Sequence, residues 1–241
     1  MAQIICRYRK GEAARWISHL DVKRTLERAM RRAELPLTLT EGHNPHLKLS
    51  FGPPLSVGIT GDAEMVAVHL DVAMAPDALK ERLNAQLPPG LQMMEAWAVP
   101  GYRKKETFGD IDVAEYRVAV QGCASADELR ARMAEVMASE HLIVQRGGDR
   151  PERSVDLRPL VLSLAITESR GDEVELKMRL KTGSHGGARP QEVVSLLGVR
   201  DGEYLVRYHR TGLYASAQEA PRPAAHVRRR WTRTGERRQE T

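Results

Sequence analysis

The densest run of chemically capable side chains lies between Thr40 and Leu55. It holds Glu41, His43, Asn44, His46, Lys48 and Ser50, interleaved with Gly42, Gly52, Pro45, Pro53 and Pro54. Imidazoles beside a lysine and a carboxylate can move protons or hold an anion, and long ordered loops in compact domains are often functional. The same prolines could equally make a stiff crossover. His43 and His46 flank Asn44-Pro45 with no thiolate near, and a third zinc ligand such as His19 would have to come from elsewhere. They read as hydrogen-bonding or titrating histidines, and no metal is expected.

A second place is Arg15-Trp16-Ile17-Ser18-His19-Leu20-Asp21. Ser18 can cap a helix with Asp21 three residues on. The free N–H groups of a helix start suit phosphate or carboxylate, with Arg15 and His19 beside it. Along that helix Arg24, Arg28, Arg31 and Arg32 form a basic stripe opposite Leu26, Ala29, Met30 and Ala33. The third place is Lys181-Thr182-Gly183-Ser184-His185-Gly186-Gly187-Ala188-Arg189. Its glycines could form an anion nest between Lys181 and Arg189, or simply a polar loop, and it matches neither a Walker loop nor a dinucleotide fingerprint.

The elements that must carry these residues follow from periodicity. Residues 2–9 alternate as a strand, 18–35 form a helix stopped by Pro36, and 37–41 and 64–71 read as strands. A helix over 76–87 ends at Pro88-Pro89-Gly90, and 91–99 is a strand. The order β-α-β-β-α-β is the ferredoxin-like pattern. It repeats with a strand at 115–121, a helix from Ser125 to about 139, strand-like pieces at 142–146, 157–167 and 173–181, a short helix at 190–197 and a strand at 203–208. In the second half Arg117, Lys177, Arg179, Lys181, Arg207 and His209 alternate outward, with Glu115 and Glu175 on the same faces. An open sheet face of that kind could bind phosphates as RNA-binding sheets do.

The expectation is therefore an α+β chain of two tandem ferredoxin-like units with antiparallel sheets. They span 1–100 and 114–216, joined by a linker at 101–113 and followed by a disordered arginine-rich tail at 217–241. The rival is one such unit followed by a different α+β domain.

Charge supports this division. The chain has 241 residues and a formal net charge of +5. Residues 221–241 hold seven arginines against two acids, so the whole excess lies there and the body is formally neutral. A uniformly basic protein is excluded. No apolar run approaches the ~18–20 residues of a membrane span. Met1–Lys10 lacks the apolar segment and small-residue cleavage site of a secretory signal, and two distant cysteines make no metal or redox motif, so a cytoplasmic protein without membrane contact is expected.

Taken together, the segments Arg15–Asp21, Arg24, Arg28–Ala33, Leu35-Pro36, Glu41–His46 and Leu49–Leu55 resemble the radical SAM-linked protein family, a bacterial domain of unknown function. The likeness continues through Asp156-Leu157-Arg158-Pro159, Thr182-Gly183-Ser184 and His209-Arg210-Thr211-Gly212-Leu213-Tyr214. The resemblance implies a gene beside, or fused to, a radical SAM protein and near RNA-metabolism genes. It adds Arg158 and Arg210 to the candidate ligand-binding residues. His43 stands where the family has Phe and Leu47 where it has Pro, so His46 is the better candidate. A more distant likeness to CRISPR repeat-associated RNA-binding proteins points to His19.

The chain lacks the CxxxCxxC that holds a radical SAM cluster, so the iron–sulfur cluster and S-adenosylmethionine belong on a partner. The leading expectation is an accessory protein that binds RNA, or another phosphate-bearing substrate, for a separate radical SAM enzyme. The alternatives are a metal-independent endoribonuclease using His19, His46 and Lys48, and a small-molecule enzyme with its pocket between that loop and the first helix.

Overall fold

The computed structural model describes residues 2–99, 107–122, 125–147, 152–183, 186–200 and 202–216. The arginine-rich tail, the first part of the linker (101–106), Cys123, Ser184 and His185 lie outside them. The fold is α+β with a mostly antiparallel sheet and four α-helices among the described residues. It divides into two compact units: residues up to Ile111 together with the chain from Gly212, and Asp112–Thr211.

The first unit contains β1 (Ala2–Lys10), a 3-10 turn (Glu12–Ala14), α1 (His19–Arg32), β2 (Leu49–Phe51), β3 (Ile59–Leu70), α2 (Pro76–Asn84) and β4 (Leu91–Val99). Its sheet runs β4-β1-β3, with β2 on the far side of β3, and every neighbour is antiparallel. Alternation sorts the side chains. Ile4, Cys6 and Tyr8 join Val66, Val68 and Leu70 in a core capped by Val22, Leu26, Ala29 and Met30 of α1 and Leu79 and Leu83 of α2. The opposite face, with Ile5, Met65, Ala67, Trp97 and Val99, is buried too. Leu213 belongs to this unit and is buried near Gly52, whose N–H donates to the Met65 carbonyl.

The strand expected at 37–41 is not one. Leu37 makes a single bridge to Leu70 and Leu39 another to Leu47, while the partner of β3 is Leu49–Phe51, inside the segment expected to be loop. The Leu-Thr-Leu-Thr alternation has the right period, but only two of its positions find a ladder.

The second unit contains β5 (Val113–Gln121), α3 (Ala126–Ala138), β6 (Ile143–Arg146), β7 (Arg153–Asp156), β8 (Val161–Arg170), β9 (Glu173–Lys181), α4 (Pro190–Leu196) and β10 (Leu205–Tyr214), the last belonging here up to Thr211. Its strands run β10-β5-β9-β8, and β6 and β7 form a separate hairpin. The strand expected at 157–167 begins later, because Arg158–Leu160 is a 3-10 turn containing Pro159. The last strand runs six residues past its expected end at 208. Among the described residues no helix is long and apolar enough to cross a membrane.

Candidate nucleic-acid interface

The turn before α1 is set by a glycine. Gly11 N–H donates to the Gly90 carbonyl at 2.8 Å, and a Cβ on Gly90 would lie 2.6 Å from the Ala14 nitrogen. That close approach launches Arg15 and Trp16. Arg15 Nε donates to the Gly58 carbonyl at 2.8 Å, Gly58 N–H donates back to the Arg15 carbonyl at 3.0 Å, and the guanidinium lies 4.9 Å from the centre of the Trp16 ring. Trp16 is nonetheless 71% exposed.

Ser18 caps α1 as expected, accepting from Asp21 N–H at 3.2 Å and donating to its carboxylate at 2.7 Å. That hydroxyl hydrogen bond, with the Arg24 charge behind it, lowers the Asp21 carboxyl pKa. His19 meets Phe51 edge to face with ring centroids 5.5 Å apart. Arg24 is paired with Asp21 at 3.6 Å and Arg32 donates to Gln86. Arg28 and Arg31 are exposed and make no ion pair among the described residues.

The Thr40–Leu55 residues do not converge. Glu41, Asn44 and His46 are exposed, with Thr40 accepting from the His46 N–H. Leu49 and Phe51 pack on the helix side with His19. By alternation Lys48 and Ser50 face the other way, and there Lys48 lies near buried His69. Burial first, then the Lys48 charge, lowers the His69 pKa, and the ring pairs with Gln3 at 3.3 Å. His19 and Lys48 thus sit on opposite faces of one sheet. That arrangement weighs against the shared acid–base site.

In the second unit the glycine-rich turn is tied to its own surroundings. Lys181 pairs with Asp112 at 2.8 Å, Thr182 N–H donates to the Asp112 carbonyl, and Ala188 N–H donates to the Lys181 carbonyl. Gly183 (φ 109°) supplies the left-handed turn. Arg189 lies 4.0 Å from Glu192. Arg158 donates to the Val161 carbonyl, and its N–H, like that of Leu142, goes to Asp156. Arg210, a ligand candidate by resemblance, is fully buried. It alternates with exposed Arg207 and half-exposed His209, which places it on the buried side of the strand.

The outward face of this unit is as charged as the sequence suggests, and its acids are used. Glu115 faces Arg179 in register and binds Lys177 at 3.1 Å and Thr211 at 3.2 Å, while Arg117 pairs with Glu175 at 3.5 Å. The face is a laced network with little unopposed charge.

The residue that sequence reasoning left out of the site is Trp16. Its signal was a tryptophan within the arginine-rich opening of an amphipathic helix, away from the apolar periodicity. The family model described as "Uncharacterized protein conserved in bacteria (DUF2344)" matches residues 3–190. The chain belongs to this family. The DUF2344 match runs from Gln3 through the first unit up to Ile111 and ends at Pro190, the first residue of α4. No curated protein matches the chain.

Among solved structures, a chain of a Cbf5-Nop10-Gar1 complex is similar at 13% identity and TM-score 0.47, over 88% of this chain and 48% of that one. A chain of the archaeal box H/ACA sRNP Nop10-Cbf5 complex is similar at 14% and 0.43, over 86% and 46%. An unknown protein from Galdieria sulphuraria is similar at 14% and 0.26, over 87% and 98%. The DUF2344 chain thus spans about half the length of the first two.

Proposed function

We propose that this DUF2344 protein is an RNA-binding accessory protein working with a separate radical SAM enzyme. The observation that carries the RNA reading is the outer face of α1. Five basic residues stand there against two acids, and Arg28 and Arg31 have no acidic partner among the described residues. Unopposed arginines on a formally neutral body mark a place for phosphate, the sequence-independent part of nucleic-acid affinity. Each unit is read as ferredoxin-like. The first is supported by its 4-1-3-2 strand order, and the second by the same order once the β6–β7 hairpin is set aside as an insertion.

The radical SAM half of the reading rests on the motif resemblance. It is consistent with a chain whose two cysteines, Cys6 buried in the core, cannot hold a cluster.

Ultraviolet crosslinking of the full-length protein in its host, followed by peptide mapping, tests the RNA reading. RNA attached to peptides from the α1 region supports it, and a protein that crosslinks no RNA refutes it. Affinity purification from the same cells tests the partner. A radical SAM enzyme recovered in proportion to the bait supports the accessory role, and its absence removes it.

A further inference from the structure

We infer that Trp16 is a preformed stacking platform for an unpaired RNA base, at the head of a phosphate track along Arg24, Arg28 and Arg31. This rests on the RNA reading above and narrows it to single-stranded RNA.

Three observations converge. Trp16, Leu20 and Val57 are exposed by 71%, 51% and 48%, all around the turn that opens α1. A tryptophan in water at that level is unusual, since such side chains are highly buried on average. Second, the ring is held in place. The Arg15 guanidinium lies 4.9 Å from its centroid, and a Cβ on Gly58 would come within 3.3 Å of the indole, a tight approach at a φ of 81° that favours glycine. Arg15 is itself fixed by Gly58 and lies 3.7 Å from Glu12. A platform ordered before binding costs little conformational entropy when a ligand arrives. Third, the surroundings are cationic. Leu20, Arg24 and Arg28 follow at i+4 steps, about 6 Å apart along the axis, with Arg31 on the same exposed face.

Charge decides the occupant. An apolar patch alone could take another protein. A patch that runs into Arg28 and Arg31, which have no acidic partner among the described residues, with Asp21-paired Arg24 between, fits a ligand that is flat and apolar at one point and negatively charged along its length. Bases present a π-face to an aromatic ring while arginines follow the backbone, as in single-strand binding sites. In a duplex the bases are stacked on each other and cannot reach the indole, so the platform discriminates by strandedness.

The test uses the full-length protein and two labelled probes, a single-stranded RNA dodecamer and an RNA duplex of equal length, with binding followed by anisotropy. Trp16→Ala should weaken single-strand binding about tenfold or more, with Trp16→Phe retaining most of the affinity, while duplex binding stays unchanged. Arg28→Glu should weaken both.

If Trp16→Ala binds the single strand within about twofold of the parent, the platform is wrong while the RNA reading stands. If the parent binds neither probe at micromolar protein, the RNA reading itself fails and the platform with it. Light scattering covers the remaining occupant. A parent dimer that becomes monomeric on Trp16→Ala, with RNA affinity unaltered, would assign the patch to a second copy of the chain and overturn the inference.

Discussion

Arg146 holds Glu192 with two hydrogen bonds, Nε to Oε1 at 2.7 Å and Nη2 to Oε2 at 2.6 Å, and the same Nη2 donates to the Gly187 carbonyl at 2.8 Å. One guanidinium therefore fastens the β6–β7 hairpin, the glycine-rich turn and α4 together. The two side chains are only 11% and 16% exposed. Burial pushes the Glu192 carboxyl up, but Arg146 and the Arg189 N–H outweigh it, and the net pKa is lowered. Arg146→Ala should cost about 2–4 kcal/mol in urea unfolding, because it strands a half-buried carboxylate. Pairing Arg146→Met with Glu192→Leu should recover most of that loss, since both charges then leave together.

Asp156 accepts from Leu142 N–H at 2.8 Å, His141 at 2.7 Å and Arg158 N–H at 2.9 Å, which hold its carboxyl at a pKa of about 2. The folded pKa lies below the unfolded one of roughly 3.9. Its contribution to stability is therefore complete above that value and is lost as pH falls toward about 2. Unfolding midpoints measured across this window should drop in the parent and drop less in Asp156→Asn.

Gly90 combines a φ of 92° with a hypothetical Cβ 2.6 Å from the Ala14 backbone. Gly90→Ala should destabilise the protein by about 2–3 kcal/mol. Since the same turn launches Arg15 and Trp16, it should also weaken RNA binding with no change to any side chain of the interface. Thermal unfolding and anisotropy on one sample separate the two effects.

Salt reports how many phosphates α1 engages. Replacing Arg24, Arg28 and Arg31 together by alanine should reduce the slope of log affinity against log salt by about 2 for a single strand. Truncating the arginine-rich tail should flatten the slope further but leave the effect of Trp16→Ala intact, because stacking does not depend on released counterions.

Much of this was legible in the chain itself. Residues 2–9 and 91–99 alternate cleanly, and Ser18 with Asp21 marks the start of α1 to the residue. The first helix was readable because both its faces carry information, apolar on one side and arginine on the other. What stayed hidden depended on long-range partners. Leu49–Phe51 is too short to announce itself, and becomes a strand only because Val66–Val68 needs an edge. The hairpin strand Arg153–Asp156 is polar and exposed at its start, so periodicity does not see it. Arg210 is a candidate by family resemblance, and its burial depends on a strand that runs past 208. Once it runs to Tyr214, parity alone turns that arginine inward. The candidate site divided in the same way. Residue types identified the Thr40–Leu55 segment as rich in chemistry, but only the register of β2 sends Lys48 and His19 to opposite faces.

Leu213 packs near Gly52 in the first unit although about 100 residues of the second unit separate it from Ile111. On the ribosome the two are made far apart in time. At about 5–20 residues per second, the missing piece follows Ile111 by roughly 5–20 s. Throughout that delay the nascent first unit exposes the surface around Gly52 and Met65 that Leu213 will later cover. A fragment ending at Ile111 therefore lacks one piece of the first unit, the segment that carries Leu213.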